Sequence, residues 1–171
     1  MAGLRVHSRF QKHVTNRSHR KRSAVKANRS IPPDTVIPVL TYPDVRAAVG
    51  WLVSAFGAVE HVRIGEGHRA QMSIGAGAFI VAEPAAKRRP PASGEPVSVS
   101  IMVRVEDVLA HCARARAAGA TILDEPTDHM YGERQYSAVD LAGHHWTFTE
   151  SIADIAPEEY GCTTVEAWRH P

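Results

Sequence analysis

Histidine, carboxylate and cysteine side chains carry most metal and acid–base chemistry, and this chain spreads them thinly. His144-His145 is the tightest pair, but neighbours on a strand point to opposite faces, so the two cannot grip one ion. His61, His68, His111 and His129 follow no ligand spacing and read as surface or partly buried histidines. Glu83 and Glu150 end predicted strands and read as solvated. Two cysteines, Cys112 and Cys162, imply no disulfide framework and a reducing, cytoplasmic setting. Cys112 falls on the apolar side of a predicted helix, where a thiol packs as a small inert hydrophobe. Gly75-Ala76-Gly77-Ala78 joins two predicted strands and opens no helix, so it cannot cradle a dinucleotide phosphate. No cofactor is implied. No matched acid and base pair is visible, so the sequence names no catalytic residue and leaves enzyme activity open.

Charge divides the chain at residue 33. Residues 1–33 hold nine basic side chains and no acid. The remaining eleven basic and eighteen acidic residues sum to −7, against +9 for the first stretch and +2 for the whole chain. That first stretch lacks apolar periodicity and is expected to be a disordered basic tail. A solvated extension is its plainest reading; nucleic-acid phosphates or an organelle address are the others. No secretory apolar segment is present, and no apolar run approaches the roughly 20 residues of a membrane span. The acidic remainder gives no reason for the domain itself to bind nucleic acid.

Residues 34–152 form one domain, followed by a C-terminal extension at 153–171. In module one, residues 36–83, a β-prone segment Val36 to Tyr42 precedes a helical stripe of Val45, Ala48, Val49, Leu52 and Phe56. Gly57 closes that helix, and strands are expected at Val59 to Ile64, Ala70 to Ile74 and Ala78 to Glu83. The proline-rich linker 84–96 forbids regular structure, and Lys87, Arg88 and Arg89 read as solvated. Module two, residues 97–151, repeats the order. A strand from Val97 to Val105 leads to a helix carrying Val108, Cys112 and Ala115, ended by Gly119. Then come Ala120 to Leu123, a polar loop from Asp124 to Gly132, and strands Glu133 to Leu141 and His145 to Ser151. Asp44 and Asp107 sit in the first turns of the two helices, where a carboxylate meets the positive end of the dipole. The fold class is therefore α+β, with two βαβββ modules.

With Tyr131-Gly132-Glu133-Arg134 leading a strand into Asp140-Leu141-Ala142-Gly143-His144-His145-Trp146, the duplicated pattern resembles the vicinal oxygen chelate superfamily. That group includes glyoxalase I, bleomycin-resistance proteins and extradiol dioxygenases. The resemblance spans Ile37 to about Ile152; Leu141 stands where proline is usual in the family's turn. It implies a glyoxalase/bleomycin-resistance-type fold whose sheets curve into a cleft, often with partners exchanged in a homodimer. It also implies that metal-dependent members carry His, Gln or Glu at four strand positions, which here are Ile37, Ile80, Ser100 and Thr147. Two aliphatic chains and two hydroxyls are not such a ligand set, so no metal site is expected.

Alternation along the flanking strands assigns the faces. Ile101, Val103 and Val105 should pack under the helices, leaving Ser100, Met102 and Arg104 toward the cleft; Trp146 and Phe148 face inward, leaving His145 and Thr147. Tyr131, Arg134 and Tyr136 are expected near the cleft mouth. Module one supplies Ile37, Val39, Ile80 and Ala82. One apolar wall facing one hydroxyl-bearing wall suits an amphiphilic organic compound, with Arg104 a candidate anchor for a carboxylate or phosphate. The expected function is a metal-free, bleomycin-resistance-like small-molecule-binding protein, with ligand and twin subunit as partners. The alternative is a lyase, isomerase or dioxygenase holding a divalent metal through non-standard ligands. A third possibility makes the tail the working part, tethering the domain to nucleic acid.

Overall fold

The computed structural model describes residues 26–92, 94 and 96–166. Most of the basic tail lies outside the described residues. The elements run β1 (Val39–Thr41), α1 (Val45–Phe56), β2 (Val59–Ile64), β3 (Arg69–Ile74), β4 (Gly77–Ala82), β5 (Ser100–Arg104), α2 (Val108–Ala117), β6 (Thr121–Asp128), β7 (Glu133–Val139) and β8 (His145–Ser151), with a final 3-10 turn at Pro157–Tyr160. No helix among them is long and apolar enough to cross a membrane.

Two four-stranded curved sheets result, ordered β1-β4-β3-β2 and β5-β8-β7-β6. In each, the first strand pairs in parallel with the last and the other pairings are antiparallel. Thr41 pairs with Ala82 and Ala82 with Arg69 in module one; Arg104 pairs with Thr149 and Thr149 with Gln135 in module two. Counting from the helix caps, these two rows correspond. The same superposition sets Val39, Ile80 and Gln71 against Met102, Thr147 and Ser137.

Each helix begins on an aspartate that lies one residue before the first turn. Asp44 accepts from the Ala47 N–H at 2.9 Å and Asp107 from the Ala110 N–H at 2.8 Å; such a cap stabilises a helix by about 1 kcal/mol. Gly57 ends α1 at φ +68°, a left-handed conformation that glycine adopts without steric cost.

Three expectations change. The first strand of each module is shorter than its β-prone segment, spanning Val39–Thr41 and Ser100–Arg104. The polar stretch after Leu123 is strand rather than loop as far as Asp128, pairing Thr127 with Gln135 and Asp128 with Arg134. β6 is an edge strand, and a register irregularity between Asp124 and Thr127 accommodates Pro126. Glu150 is not merely solvated: it accepts from the Val108 N–H at 2.9 Å, at the start of α2.

The inward faces of both sheets and both helices share one core. Phe56 stands at its centre, with ring centroids 4.9 Å from Trp51, 4.7 Å from Phe148 and 5.3 Å from Trp146. Polar ties across the modules accompany it. The Trp51 indole N–H donates to the Ala118 carbonyl at 2.8 Å, and the Tyr42 hydroxyl donates to Asp140 at 2.6 Å. His111, expected at the surface or partly buried, is buried within this core. Its Nδ1 lies 2.6 Å from the Tyr136 hydroxyl and its Nε2 3.2 Å from the Phe56 carbonyl. Only the neutral ring with the proton on Nε2 lets both contacts be hydrogen bonds with Tyr136 donating.

Burial pushes the His111 imidazole down to about 4, the nearby Arg114 charge adding to the drop and the Phe56 carbonyl opposing it. The unfolded chain therefore binds this proton below about 6.5 while the folded chain refuses it until about 4. Stability is fully present above pH 6.5 and falls as pH drops through that window, by up to about 3 kcal/mol. Urea midpoints at pH 7, 6, 5 and 4.5 measure this slope; replacing His111 with phenylalanine should flatten it.

Candidate functional site

Away from the core, module two presents a polar face assembled by strand alternation. β5 contributes Ser100, Met102 and Arg104, and all three are exposed as expected, with Met102 at 63%. β8 adds His145 and Thr147, both half-buried. The register places Ser100 beside His145, Met102 beside Thr147 and Arg104 beside Thr149. β7 contributes Glu133, Gln135, Ser137 and Val139 to the same face.

Its organising group is Glu133, which the sequence reading did not single out. Thr149 and Ser151 donate hydroxyl hydrogen bonds to the Glu133 carboxylate, and the Arg104 guanidinium donates to it at 3.1 Å and also contacts Ser151. The network continues through Gln135, which donates to Thr149 at 3.2 Å, to the Tyr131 hydroxyl, which donates to Gln135 at 3.1 Å. Burial alone would raise the Glu133 carboxyl; the Ser151 and Thr149 hydroxyls and Arg104 outweigh it and hold it below the usual carboxylate range. Glu133 is thus an ionised, fully engaged acceptor and not a proton donor at neutral pH. The signal for it was the polar i, i+2 run Glu133, Gln135, Ser137, since a face is read from every strand of a sheet.

Two predicted site residues lie elsewhere. Tyr136 is paired with Phe148 and is 1% exposed, so it faces the helix and the core rather than the cleft. Arg134 shares that parity, pairs with Glu150 and grips Asp128 with both Nε and Nη2, the latter at 2.9 Å. Tyr131 does reach the polar face, through Gln135, and stacks on His129 with centroids 5.0 Å apart.

Module one's corresponding face is less apolar than expected. Val39, Ile80 and Ala82 lie on it, but β3 adds Arg69, Gln71 and Ser73, and His61 reaches Ser73 at 2.8 Å. Gln71 is 6% exposed because the segment before β1 crosses here: its amide donates to the Ser30 carbonyl at 2.9 Å. Between the modules a cavity of about 340 Å³ opens, lined by Val36, Pro38, Phe79, Ile101, Met102 and Trp146. A volume of that order holds a small organic group. A second groove of about 830 Å³ lies where the end of α1 meets the start of α2, with Phe56, Arg104, His111 and Arg114 on its walls.

A divalent ion does not fit these donors. Among the described residues, no three His, Cys, Asp or Glu side chains stand together. The register leaves Ile80 and Thr147 as mutual counterparts, and neither they nor Ile37 and Ser100 offer an imidazole or carboxylate. Glu133 and His145 share a face, but Glu133 lies six residues along β7 from Val139, the partner of His145. That separation is roughly 20 Å, far beyond a shared coordination shell.

Comparison with known proteins agrees with this architecture. Residues 35–148 match the family model described as Glyoxalase/Bleomycin resistance protein/Dioxygenase superfamily. TioX from Micromonospora sp. ML1 is 35% identical, with a TM-score of 0.56 over 68% of this chain and 98% of that one. A glyoxalase/bleomycin resistance protein/dioxygenase family enzyme from Burkholderia phytofirmans PsJN, 16% identical, has the same TM-score over 66% of this chain and 94% of its own. An uncharacterized Mycobacterium tuberculosis protein is 29% identical over 131 residues, 71% of this chain and 77% of that protein. With a family model covering both modules and a relative at 35% identity matched over nearly its whole length, the chain belongs to the Glyoxalase/Bleomycin resistance protein/Dioxygenase superfamily.

Proposed function

We propose that the chain is a metal-independent small-molecule-binding member of this superfamily, similar to bleomycin-resistance proteins, that takes an amphiphilic organic compound. The carrying observation is what occupies the positions where the resemblance places metal ligands: Ile37 and Ile80 in module one, Ser100 and Thr147 in module two. Beside the latter two stands an organised field of further hydroxyls and amides: Ser137, Thr149 and Gln135. Such groups orient a polar ligand without Lewis-acid chemistry.

Inward-facing residues of both sheets feed a common core, so the opposite faces turn away from it, that of module one partly covered by the segment before β1. A cleft with a wall from each module then forms between two copies, module one of one chain opposite module two of the other, in a homodimer. Met102, 63% exposed, and Val39, 42% exposed, supply apolar contact on the two walls. Ser100, Thr147, His145 and Tyr131 supply polar contact, with Arg104 at the rim. Nothing in the described residues favours the metal-dependent lyase, isomerase or dioxygenase reading.

Isothermal titration of the full chain with nickel, zinc, manganese and iron(II) tests the proposal. No stoichiometric binding tighter than about 10 μM is expected, since exposed single histidines give weak sites only. Tight one-to-one binding abolished by His145→Ala or Glu133→Gln would overturn it.

A further inference from the structure

We infer that the compound bound in this cleft carries an anionic group, such as a carboxylate, sulfonate or phosphate, and that Arg69 of module one receives it. This rests on the cleft proposed above and names the chemistry of its ligand.

Four arginines lie within the strands of the two sheets. Arg63 on β2 pairs with Glu60 at 2.9 Å, Arg104 on β5 with Glu133 at 3.1 Å, and Arg134 on β7 with Asp128. Arg69 on β3 has no carboxylate or other hydrogen-bond acceptor among the described residues, and its Nε is enclosed without a partner. A guanidinium is always charged and donates through five N–H groups in a planar fork. Closing one of those groups away from water with nothing to accept from it is unfavourable, and an anion delivered to the fork relieves it.

Placement agrees. Arg69 pairs with Ala82, which pairs with Thr41, so the half-buried arginine stands on the module-one face turned from the helix, beside Gln71 and close to Ile80. In the two-module superposition its row is the row of Arg104, Thr149 and Gln135. Each module therefore brings one arginine to the same level of its sheet. Their electrostatic states differ: the charge of Arg104 is balanced by Glu133, whereas that of Arg69 is unbalanced among the described residues. The anchor that the sequence places at Arg104 thus moves to Arg69. A ligand with an apolar body over the exposed Val39 and an anionic end at Arg69 satisfies both surfaces, and a bidentate contact gives it a fixed orientation.

The probes are two fluorescent ligands of the same ring system: 1-anilinonaphthalene-8-sulfonate and its uncharged analogue, N-phenyl-1-naphthylamine. Both are titrated into the full chain, so the basic tail contributes equally to every variant. Arg69→Gln is expected to weaken the sulfonate about tenfold while changing the neutral probe less than about twofold, the loss of one charge-assisted anchor. Arg69→Lys should retain part of the preference, and Arg88→Gln should leave it intact. Inorganic phosphate should displace the sulfonate from the unmodified protein and not the neutral probe, a readout that needs no variant. If Arg69→Gln moves both probes equally or neither, if Arg104→Gln is the variant that removes the preference, or if phosphate displaces both or neither, the inference fails while the cleft stands. If neither probe binds saturably, the cleft itself fails and the inference with it.

Discussion

Replacing Asp140 with alanine is expected to lower the melting temperature by about 10 °C or more. The Asp140 side chain is wholly buried and is the common acceptor for five donors. One carboxylate oxygen accepts from the Tyr42 hydroxyl at 2.6 Å and the Trp146 indole N–H at 3.0 Å. The other accepts from the backbone N–H groups of Ala142 at 2.9 Å and His144 at 3.0 Å, and the His144 ring lies 3.2 Å from the carboxylate. Burial would raise its pKa, but the donors from His144, Tyr42 and Trp146 outweigh that and leave it below the ordinary aspartate value. Truncation strands Tyr42 and Trp146 as unsatisfied donors in the core, at about 1–3 kcal/mol each, and frees the turn that aims β8. The tie also joins module one, through Tyr42, to module two. Asparagine at this position should do less harm, because one acceptor oxygen survives. Thermal melts followed by tryptophan fluorescence measure both variants; a shift below about 3 °C for alanine would mean that water replaces the carboxylate at no cost.

Phe56→Ala is expected to cost about 3–5 kcal/mol, the range for emptying a large aromatic site in a core. Phe56 is 1% exposed and touches rings from both modules, and its carbonyl accepts from His111. Removing the ring leaves a void at the place where α1 meets β8, so the expected signature is lost contact between modules as well as lost stability. Denaturant unfolding monitored separately by fluorescence and far-UV circular dichroism should show transitions that no longer coincide. Phe79→Ala serves as comparison. Its ring meets a single ring of the other module, Trp146 at 5.6 Å, so its loss should separate the transitions less.

Much of the architecture was legible because hydrophobic period is a local signal. The stripe from Val45 to Phe56 and the alternation in His145 to Ser151 each read correctly, as did Gly57 as a helix stop. Polar strands gave no such signal. Asp124 to Asp128 carries three acids and a proline, and only pairing with β7 makes it a strand. The site was half legible. Faces were derived for the strands that begin and end each module, so Met102, Arg104 and Thr147 came out on the open side. Alternation along the outer strands alone gives no face to the inner strands β3 and β7, so Arg69 and Glu133 do not stand out in the sequence, and Tyr136 and Arg134, expected near the cleft mouth, lie on the opposite face. Charge balance is not legible at all from spacing. That Arg104 is matched by Glu133, 29 residues away, emerges only when β7 is laid beside β8.

The ties between the modules also bear on how the chain reaches this state. Tyr42 and Asp140 are separated by 98 residues, and His111 and the Phe56 carbonyl by 55. Each βαβββ unit can form its own ladders from near neighbours, but the aromatic ring of Phe56 and the hydroxyl of Tyr42 gain their partners only when β8 and the Asp140 turn are in place. Closing so long a loop is entropically slow and rewarded late. During synthesis module one therefore waits with an apolar helix face uncovered until nearly the whole of module two has emerged. That interval, rather than the finished fold, is where the chain is most exposed to misassociation with other chains.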